Sequence, residues 1–434
     1  MDQTKSALTK LRPYWDDDII DKLNYFWTAL ILILGCLTIG MKQYVGSPLQ
    51  CWVPVEFKSY WEQYAEHYCF VENTYFVQMN ETIPGTAKKR VDRELGYYQW
   101  VPIILALQAF MFILPRLAWG MLNTQGFNVP AIMQAAAEMK KDSDKHRRLK
   151  GSEASRKDME FISKYIDDAV QYRRKAAGKR DSFIDTPSND VEPAVYGMRR
   201  QKSLLDPISV PTRLFGYYTT TVYLLIKVAY IANVIGQLFM MNSYLAPEYN
   251  WWGFGILNDL AHGREWHESG HFPRVTLCDF TVRKLGQLQT YTIQCVLVLN
   301  MLNEKLYLFL WWWFLLVSIL TILNLIYWVA VSFNPLSRRR FVARYLWARN
   351  LVKPPPSPEY QEPVQRFVDS YLKPDGVTLL RLVSANAGEI ACANLIEQLW
   401  NLRSRKPNLS GVKIASAPSN EGFIESPDTS MNDK

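Results

Sequence analysis

The fold is decided by the stretch YYQWVPIILALQAFMFILPRLAWG, which runs from Tyr97 to Gly120. Between Trp100 and Leu114 every side chain is apolar except that of Gln108. Roughly 20 apolar residues in helical form cross a hydrocarbon core of about 30 Å. Trp100 and Trp119 flank the stretch, as aromatic side chains do at membrane interfaces. A buried helix of a soluble protein is the weaker interpretation, because three comparable stretches share these features.

Hydropathy divides the chain into four membrane spans separated by polar segments. The mean hydropathy of the 434 residues is −0.12, so long polar blocks must alternate with the apolar ones. The predicted spans are residues 25–41, 99–119, 214–243 and 306–333. The first has no small-residue cleavage site, which predicts an uncleaved signal anchor. The last would reach about 40 Å as a helix, so it should tilt or project beyond the bilayer.

The distribution of Lys and Arg predicts the orientation. The segments 1–24, 120–213 and 334–434 hold 36 of the 49 basic residues, whereas 42–98 and 244–305 hold 11. Basic residues mark cytoplasmic segments. We therefore predict a cytoplasmic N-terminal segment, a cytoplasmic loop and a cytoplasmic C-terminal domain, with two extracellular loops. This placement also disfavours a nucleic-acid partner for the net charge of +8.

The cysteines support the same topology. Cys51 and Cys69 lie in the first predicted extracellular loop, and Cys278 and Cys295 lie in the second. Disulfides persist on the oxidising side of the membrane, whereas the other two cysteines should be free thiols. Together these features predict a multi-pass protein of the plasma membrane.

The third predicted span carries a polar face. A lone Lys227 facing lipid would be costly, so this face should contact protein or water. Lining a pore is the functional interpretation, but burial against a neighbouring helix or subunit is favoured. At 100° per residue, six polar side chains fall within about 100° of one another: Thr219, Thr220, Tyr223, Lys227, Tyr230 and Gln237.

Few residues suggest a metal site or a catalytic site. His262, His267 and His271 stand near Glu265 and Glu268, but their spacing is not the HExxH pattern that places two zinc ligands on one helical face. Histidines beside a packing or docking surface are the more common arrangement. No nucleophile–base pair is visible, so we predict a protein that is not an enzyme and has no cofactor or metal.

Four stretches resemble the innexins, the gap-junction proteins of invertebrates: DDDIIDKLNYFWT, CWVPVEFKSYWEQYAEHYCFVENTYF, YYQWVP followed by ALQAF, and GREWHESGHFPRVTLCDF. The resemblance covers about residues 16–335. It implies octameric hemichannels that dock with a hemichannel of the adjacent cell and pass ions and small metabolites. Membrane lipid and other innexins are the further partners it implies. It also implies that residues 2 to about 15 line the narrowest part of the pore, beginning with Asp2, Gln3, Thr4 and Lys5.

The expected fold is therefore an all-α membrane protein with four transmembrane helices, disulfide-linked extracellular loops and a helical cytoplasmic domain. Four spans alone also fit claudins and tetraspanins, but those lack a basic middle loop of this size. Helical apolar spacing is expected at 131–141, 154–175 and parts of 360–403, and disorder at 406–434. A four-span adhesion or auxiliary subunit without its own pore is the alternative function.

Two covalent features complete the predictions. Four cysteines allow three pairings. Cys51 and Cys295 lie at similar distances from their nearest spans, which favours a nested pattern of Cys51 with Cys295 and Cys69 with Cys278. The family resemblance points the same way. Asn80, followed by Glu81 and Thr82, forms a glycosylation sequon in the first extracellular loop, whereas the sequon at 408–410 is cytoplasmic and should stay bare.

Overall fold

The computed structural model describes residues 16–123, 160–171, 216–245, 272–352 and 358–404, except 56, 73, 79 and 80, together with 129, 130, 132, 133, 136 and 255. Within these residues the chain is mostly helical, as predicted. The helices are α1 (Ile19–Tyr44), α2 (Ser59–Glu72), α3 (Ala87–Val91), α4 (Val101–Asn123), α5 (160–171), α6 (Tyr218–Leu245), α7 (Val298–Phe333), α8 (Pro335–Ala348), α9 (Pro358–Gln365), α10 (Lys373–Ala387) and α11 (Glu389–Ser404).

The helices α1, α4, α6 and α7 are long and apolar enough to cross a membrane. Helix α4 packs between α1 and α6, and α7 closes the bundle by packing against α6 and α1. The rings of Phe112 and Phe314 meet inside it with their centroids 5.3 Å apart. Apolar side chains such as Leu107, Leu225 and Ile326 are exposed on its outside, where lipid or another subunit covers them in a membrane.

Two of the spanning helices begin earlier than hydropathy predicts. Helix α1 begins at Ile19 because the Asp18 carboxylate accepts a hydrogen bond from the Asp21 amide and caps the first turn. Helix α7 begins at Val298 because its first turns bury polar residues that have partners. Asn300 donates to the Pro273 carbonyl at 2.9 Å, and Glu304 pairs with an arginine at 3.1 Å.

A small antiparallel sheet, not predicted from the sequence, covers one end of the bundle. Its strands are β1 (Gln50–Trp52), β2 (Thr74–Tyr75), β3 (Glu94–Leu95), β4 (Val275–Lys284) and β5 (Gln287–Val296), in the order β1-β5-β4-β2-β3. Leu285 and Gly286 form the two-residue turn between β4 and β5, with φ angles of 50° and 86°. Two positive φ angles are typical of a type I′ hairpin turn. We call this sheet, α2 and their disulfides the disulfide layer.

The other end of the bundle carries the terminal domain, which consists of α8 to α11. Its core includes Leu379, Leu382 and Val383, which lie within the stretch 360–403 where helical spacing is expected, and all three are buried. This core continues into Trp119 and Trp328 at the ends of the spans. A second core joins the middle of the bundle to the disulfide layer. The two ends of the molecule are therefore packed independently.

Candidate functional site

The cysteines of the disulfide layer form two bonds, Cys51–Cys295 and Cys69–Cys278. This is the nested pattern expected from the sequence. Cys51 and Cys295 are paired positions of the neighbouring strands β1 and β5. The second bond joins α2 to β4, so the helix is held against the sheet. Both bonds connect the segment before α4 with the segment before α7.

The two disulfides are neighbours. The sulfur atoms of Cys51, Cys69 and Cys295 all lie within 4.8 Å of one another. Such a cluster resembles a metal site in its spacing, but a thiolate is the form of cysteine that binds metal. All three sulfur atoms are oxidised here, so the cluster is a covalent staple and its donor set does not fit a metal ion.

An aromatic cluster packs beside the staple. Phe57, which precedes α2, and Tyr64 and Tyr68 of α2 surround Phe280 of β4. Their ring centroids lie 5.3–6.3 Å from that of Phe280, mainly in edge-to-face arrangements. Pairs of this kind add roughly 0.5–1.5 kcal/mol beyond the area they bury. The layer is thus fixed by packing as well as by covalent bonds.

The polar face of the third span is buried inside the protomer. Its six side chains are between 1% and 5% exposed: Thr219, Thr220, Tyr223, Lys227, Tyr230 and Gln237. Burial against neighbouring elements, the favoured interpretation, is therefore confirmed, and the hypothesis that this face lines a pore is wrong for these residues. The partners of Lys227 explain how a buried ammonium group is tolerated here.

Lys227 is paired with Asp18, directly before α1, and with Asp21 in its first turn. Its Nζ lies 2.8 Å from the Asp18 carboxylate and 2.9 Å from both oxygens of Asp21. The Tyr223 hydroxyl also donates to Asp21, at 3.0 Å. Polar groups at membrane depth are stable when they are paired inside the protein. The start of α1 is therefore tied to the middle of α6.

A second ion pair ties the same segment to α4. The Arg116 guanidinium makes two hydrogen bonds to Asp16, of 2.7 and 3.1 Å, in a fork-like geometry. Asp17 lies 3.8 Å from the same guanidinium, and neither of its oxygens accepts a hydrogen bond from the described residues. Burial outweighs the attraction of Arg116 and raises the pKa of Asp17 well above its ordinary value.

The terminal domain completes the cluster. The Asn386 amide of α10 donates to the backbone carbonyl of Asp17 at 2.8 Å, and its oxygen accepts from Lys22 at 2.8 Å. Asp375 of α10 accepts from the Thr220 amide of α6 at 2.9 Å. One helix of the terminal domain therefore contacts the first turns of two spans. We call the following residues the polar anchor: Asp16, Asp17, Asp18, Asp21, Lys22, Arg116, Lys227 and Asn386.

Several predicted site residues lie outside the residues that the structure describes. These are the proposed pore residues Asp2, Gln3, Thr4 and Lys5, the sequon residue Asn80, and the histidines His262, His267 and His271. The polar anchor, in contrast, was not predicted. Four aspartates directly before a span, together with a lysine inside another span, were the available signal.

Comparison with known proteins agrees with this architecture. The innexin family profile matches residues 17–402. Innexin unc-9 of Caenorhabditis elegans is 39% identical over 398 residues, which cover 91% of this chain and 94% of the relative. Innexin-3 of the same organism is 39% identical over 393 residues, covering 90% and 84%, and innexin-19 of Caenorhabditis briggsae is 34% identical over 420 residues, covering 91% and 88%. With four spanning helices and disulfide-linked loops among its described residues, the chain belongs to the innexin family of plasma-membrane proteins, whose members form gap-junction channels.

Proposed function

We propose that eight copies of this chain form a hemichannel that docks with a hemichannel of the adjacent cell and passes ions and small metabolites. In this arrangement the disulfide layer is extracellular and the terminal domain is cytoplasmic. Membership of a family of channel proteins supports this role over that of an enzyme or of an adhesion subunit without a pore. The excess of basic residues outside the disulfide-bearing loops supports the orientation.

One observation carries the docking role. Leu285 is 98% exposed at the tip of the hairpin that projects from the disulfide layer. Asn, Asp and Gly are the usual residues of a type I′ turn, so a leucine with a φ angle of 50° is unfavourable for the turn itself. Leu288, the second residue of β5, is also exposed. Contact with a partner hemichannel would cover this apolar tip.

The replacement Leu285→Asn tests docking. Asn suits the turn better than Leu, so the variant should fold and reach the surface at least as well as the wild type. We expect hemichannel currents of single cells to be unchanged and the junctional conductance of paired cells to fall several-fold. Lys284→Gln, next to the turn, is the matched control. Unchanged coupling in Leu285→Asn would remove the docking role of the tip.

We propose further that the N-terminal segment, residues 2 to about 15, lines the narrowest part of the pore and includes Asp2, Gln3, Thr4 and Lys5. The polar anchor supports this role because it fixes the residues that directly follow this segment in the chain. A pore-lining segment needs a fixed base, and Asp16, Asp18 and Asp21 are bound to two different spans.

Deletion of residues 2–15 tests this role. The deletion leaves the polar anchor in place, so assembly should persist while single-channel conductance or voltage dependence changes. Electron microscopy of the purified particles checks assembly and counts the subunits of the ring. Normal currents from intact rings would show that the segment lies outside the pore. A particle without a central hole would favour an adhesion or auxiliary subunit.

We propose that Asn80 carries a glycan on the flank of the first extracellular loop. Its sequon contains no proline and follows Cys69 by 11 residues, on the part of the loop that returns to the membrane. Arg93 forms an ion pair with Glu81 in this region, at 2.5 Å, and both side chains are partly exposed. An exposed flank can accept a bulky glycan without blocking the hairpin tip.

A further inference from the structure

A groove of about 760 Å³ lies where the terminal domain meets the ends of α1 and α7. Three helices each contribute one face to it. Ser337, Arg340, Phe341 and Arg344 follow helical spacing on α8, Arg381 and Ser384 do so on α10, and Asn324, Tyr327 and Trp328 do so on α7. Ile19 and Ile20, in the first turn of α1, form part of its apolar wall. The groove therefore lies level with the ends of two membrane spans.

The groove has an excess of positive charge. Five charged residues line it: Arg340, Arg344, Arg381, Asp18 and Glu389. Asp18 is satisfied by Lys227, Asn324 and Trp328, at 2.7–2.9 Å. Glu389 accepts from Ser384 and Tyr345 and lies 3.5 Å from Arg344. Both carboxylates are thus occupied by partners within the protein.

Two of the arginines have no carboxylate partner among the described residues. Arg340 is exposed and forms no ion pair or hydrogen bond within them. Arg381 is half-buried, with its guanidinium 4.3 Å above the Phe341 ring and 3.3 Å from the Ser337 hydroxyl. Its Nε–H is buried and has no acceptor in the described part of the chain. Burial lowers the pKa of Arg381, as expected for a cation without a counter-ion.

An anion of the right shape would complete this arrangement. Guanidinium groups bind phosphate through paired hydrogen bonds, and basic pockets between helices at a membrane surface suit anionic lipid headgroups. On α7, Leu323 and Leu316 are exposed four and eleven residues before Tyr327, a spacing that places all three on one face of the helix and leads from the groove toward the middle of the span. This apolar track favours a lipid over a soluble phosphate, because a soluble ligand would leave it unused.

We propose that this groove binds the phosphate headgroup of an anionic membrane phospholipid, with Arg340 and Arg381 holding the phosphate and the acyl chains lying along Leu323 and Leu316. The bound lipid would connect α1, α7 and the terminal domain beside the polar anchor. The proposal depends on the membrane spans and not on channel activity, so it can fail while the proposed function stands.

The test uses the full-length protein, purified in a neutral detergent and titrated with dioctanoyl phosphatidylinositol bisphosphate. Binding is followed by tryptophan fluorescence, since Trp328 lines the groove. Arg340→Gln should weaken binding about tenfold, the loss expected for one charge-assisted hydrogen bond. Arg366→Gln removes the same charge from an exposed pair in the terminal domain and should leave binding unchanged.

Two other ligands distinguish the sources of phosphate. Dioctanoyl phosphatidylcholine should bind weakly, and soluble inositol trisphosphate should bind more weakly than the lipid. Equal binding of inositol trisphosphate would overturn the lipid assignment, and equal binding of the choline lipid would overturn the role of charge. The melting temperature of unliganded Arg340→Gln should match the wild type, because Arg340 has no partner to lose among the described residues.

If Arg340→Gln does not fold, Arg344→Gln gives the same test. Arg344 and Glu389 are both exposed, so the replacement should be tolerated. It leaves the Glu389 carboxylate without its neutralising cation at the edge of the groove, and lipid binding should weaken several-fold. Wild-type affinity in a folded arginine variant would show that the groove does not hold the phosphate.

Discussion

The disulfide layer and the polar anchor solve the same problem at opposite ends of the bundle. In each, residues far apart in the sequence must be held against the spans. The disulfide layer uses two covalent bonds and a cluster of aromatic rings. The polar anchor uses buried ion pairs between Asp16 and Arg116 and between Lys227 and two aspartates.

This difference matches what each end is proposed to do. Disulfides fix one geometry and are insensitive to proton concentration, which suits a surface that must fit a second hemichannel. Buried ion pairs are strong only while every partner is in place, because an unpaired buried charge is costly. The base of the N-terminal segment therefore depends on several helices at once, whereas the disulfide layer is held within itself.

The largest effect is expected when the central cation of the polar anchor is removed. Lys227→Met leaves Asp18 and Asp21 without their shared partner, and breaking a buried ion pair in this way costs about 3–5 kcal/mol. We expect a clear fall in the melting temperature of the solubilised protein. Lys164→Met, in an exposed pair with Glu160, is the control and should change little. Equal melting temperatures would mean that the anchor is not needed for stability.

Loss of the Cys69–Cys278 disulfide should cost about 2–5 kcal/mol of stability. The outcome should also depend on which of its two cysteines is replaced. Cys278→Ser leaves the Cys69 thiol within 4.8 Å of both sulfurs of the other disulfide, so exchange should produce mixed pairings. Cys69→Ser removes the sulfur that lies in this cluster and should leave Cys51–Cys295 intact. Peptide mapping after alkylation distinguishes the two variants. The same single pairing in both would argue against exchange.

A smaller effect on stability is expected from replacing Asp16, and its neighbour Asp17 should respond differently. Asp16→Asn breaks the forked pair with Arg116 and should destabilise the protein by about 1.5–3 kcal/mol. Asp17→Asn should cost nothing or stabilise. Because burial raises the pKa of Asp17 in the folded state, its contribution to stability is present below its unfolded pKa and is lost as pH rises through the folded value.

Melting curves at pH 5 and pH 7 check the contrast. The stability of Asp17→Asn relative to the wild type should be greater at pH 7 than at pH 5, because Asp17 ionises freely in the unfolded state while burial opposes its ionisation in the folded state. A variant that is less stable than the wild type at pH 7 would show that the Asp17 charge is needed by Arg116 and Lys22.

The smallest functional effect is expected from removing the glycosylation sequon at the flank of the disulfide layer. Asn80→Gln should increase the gel mobility of protein expressed in membranes, by removal of one glycan, and should change coupling between paired cells little. Thr82→Ala destroys the same sequon and should behave identically. Coupling that appears only in these variants would place the glycan at the docking surface.

The sequence was sufficient for the parts of the fold that the membrane imposes. A spanning helix must satisfy its backbone within itself and expose apolar side chains, so hydropathy identifies it. The disulfide pairing followed from loop position and the family resemblance. The β4–β5 hairpin was missed, although Thr276, Phe280, Val282 and Thr290 lie in a run rich in strand-forming residues.

The polar anchor could not be assigned from the sequence alone. A lysine at the depth of Lys227 in a span needs a partner, but any of the 41 acidic residues of the chain could supply it. The choice of Asp18 and Asp21 depends on how the start of α1 packs against α6, and sequence separations of more than 200 residues conceal that contact. Arg116 and Asp16 are separated by 100 residues in the same way.

The first span also contains a π-helical turn, Leu23–Thr28, in which the Thr28 hydroxyl donates to the Leu23 carbonyl at 2.8 Å. A π turn holds one residue more than an α turn, so it acts as an insertion in the helix. Each residue of an α-helix rotates the next side chain by about 100°. Without the extra residue, Asp18 and Asp21 would be turned by about that angle away from Lys227. The π turn thus sets the rotational phase between the apolar part of the span and the carboxylates before it.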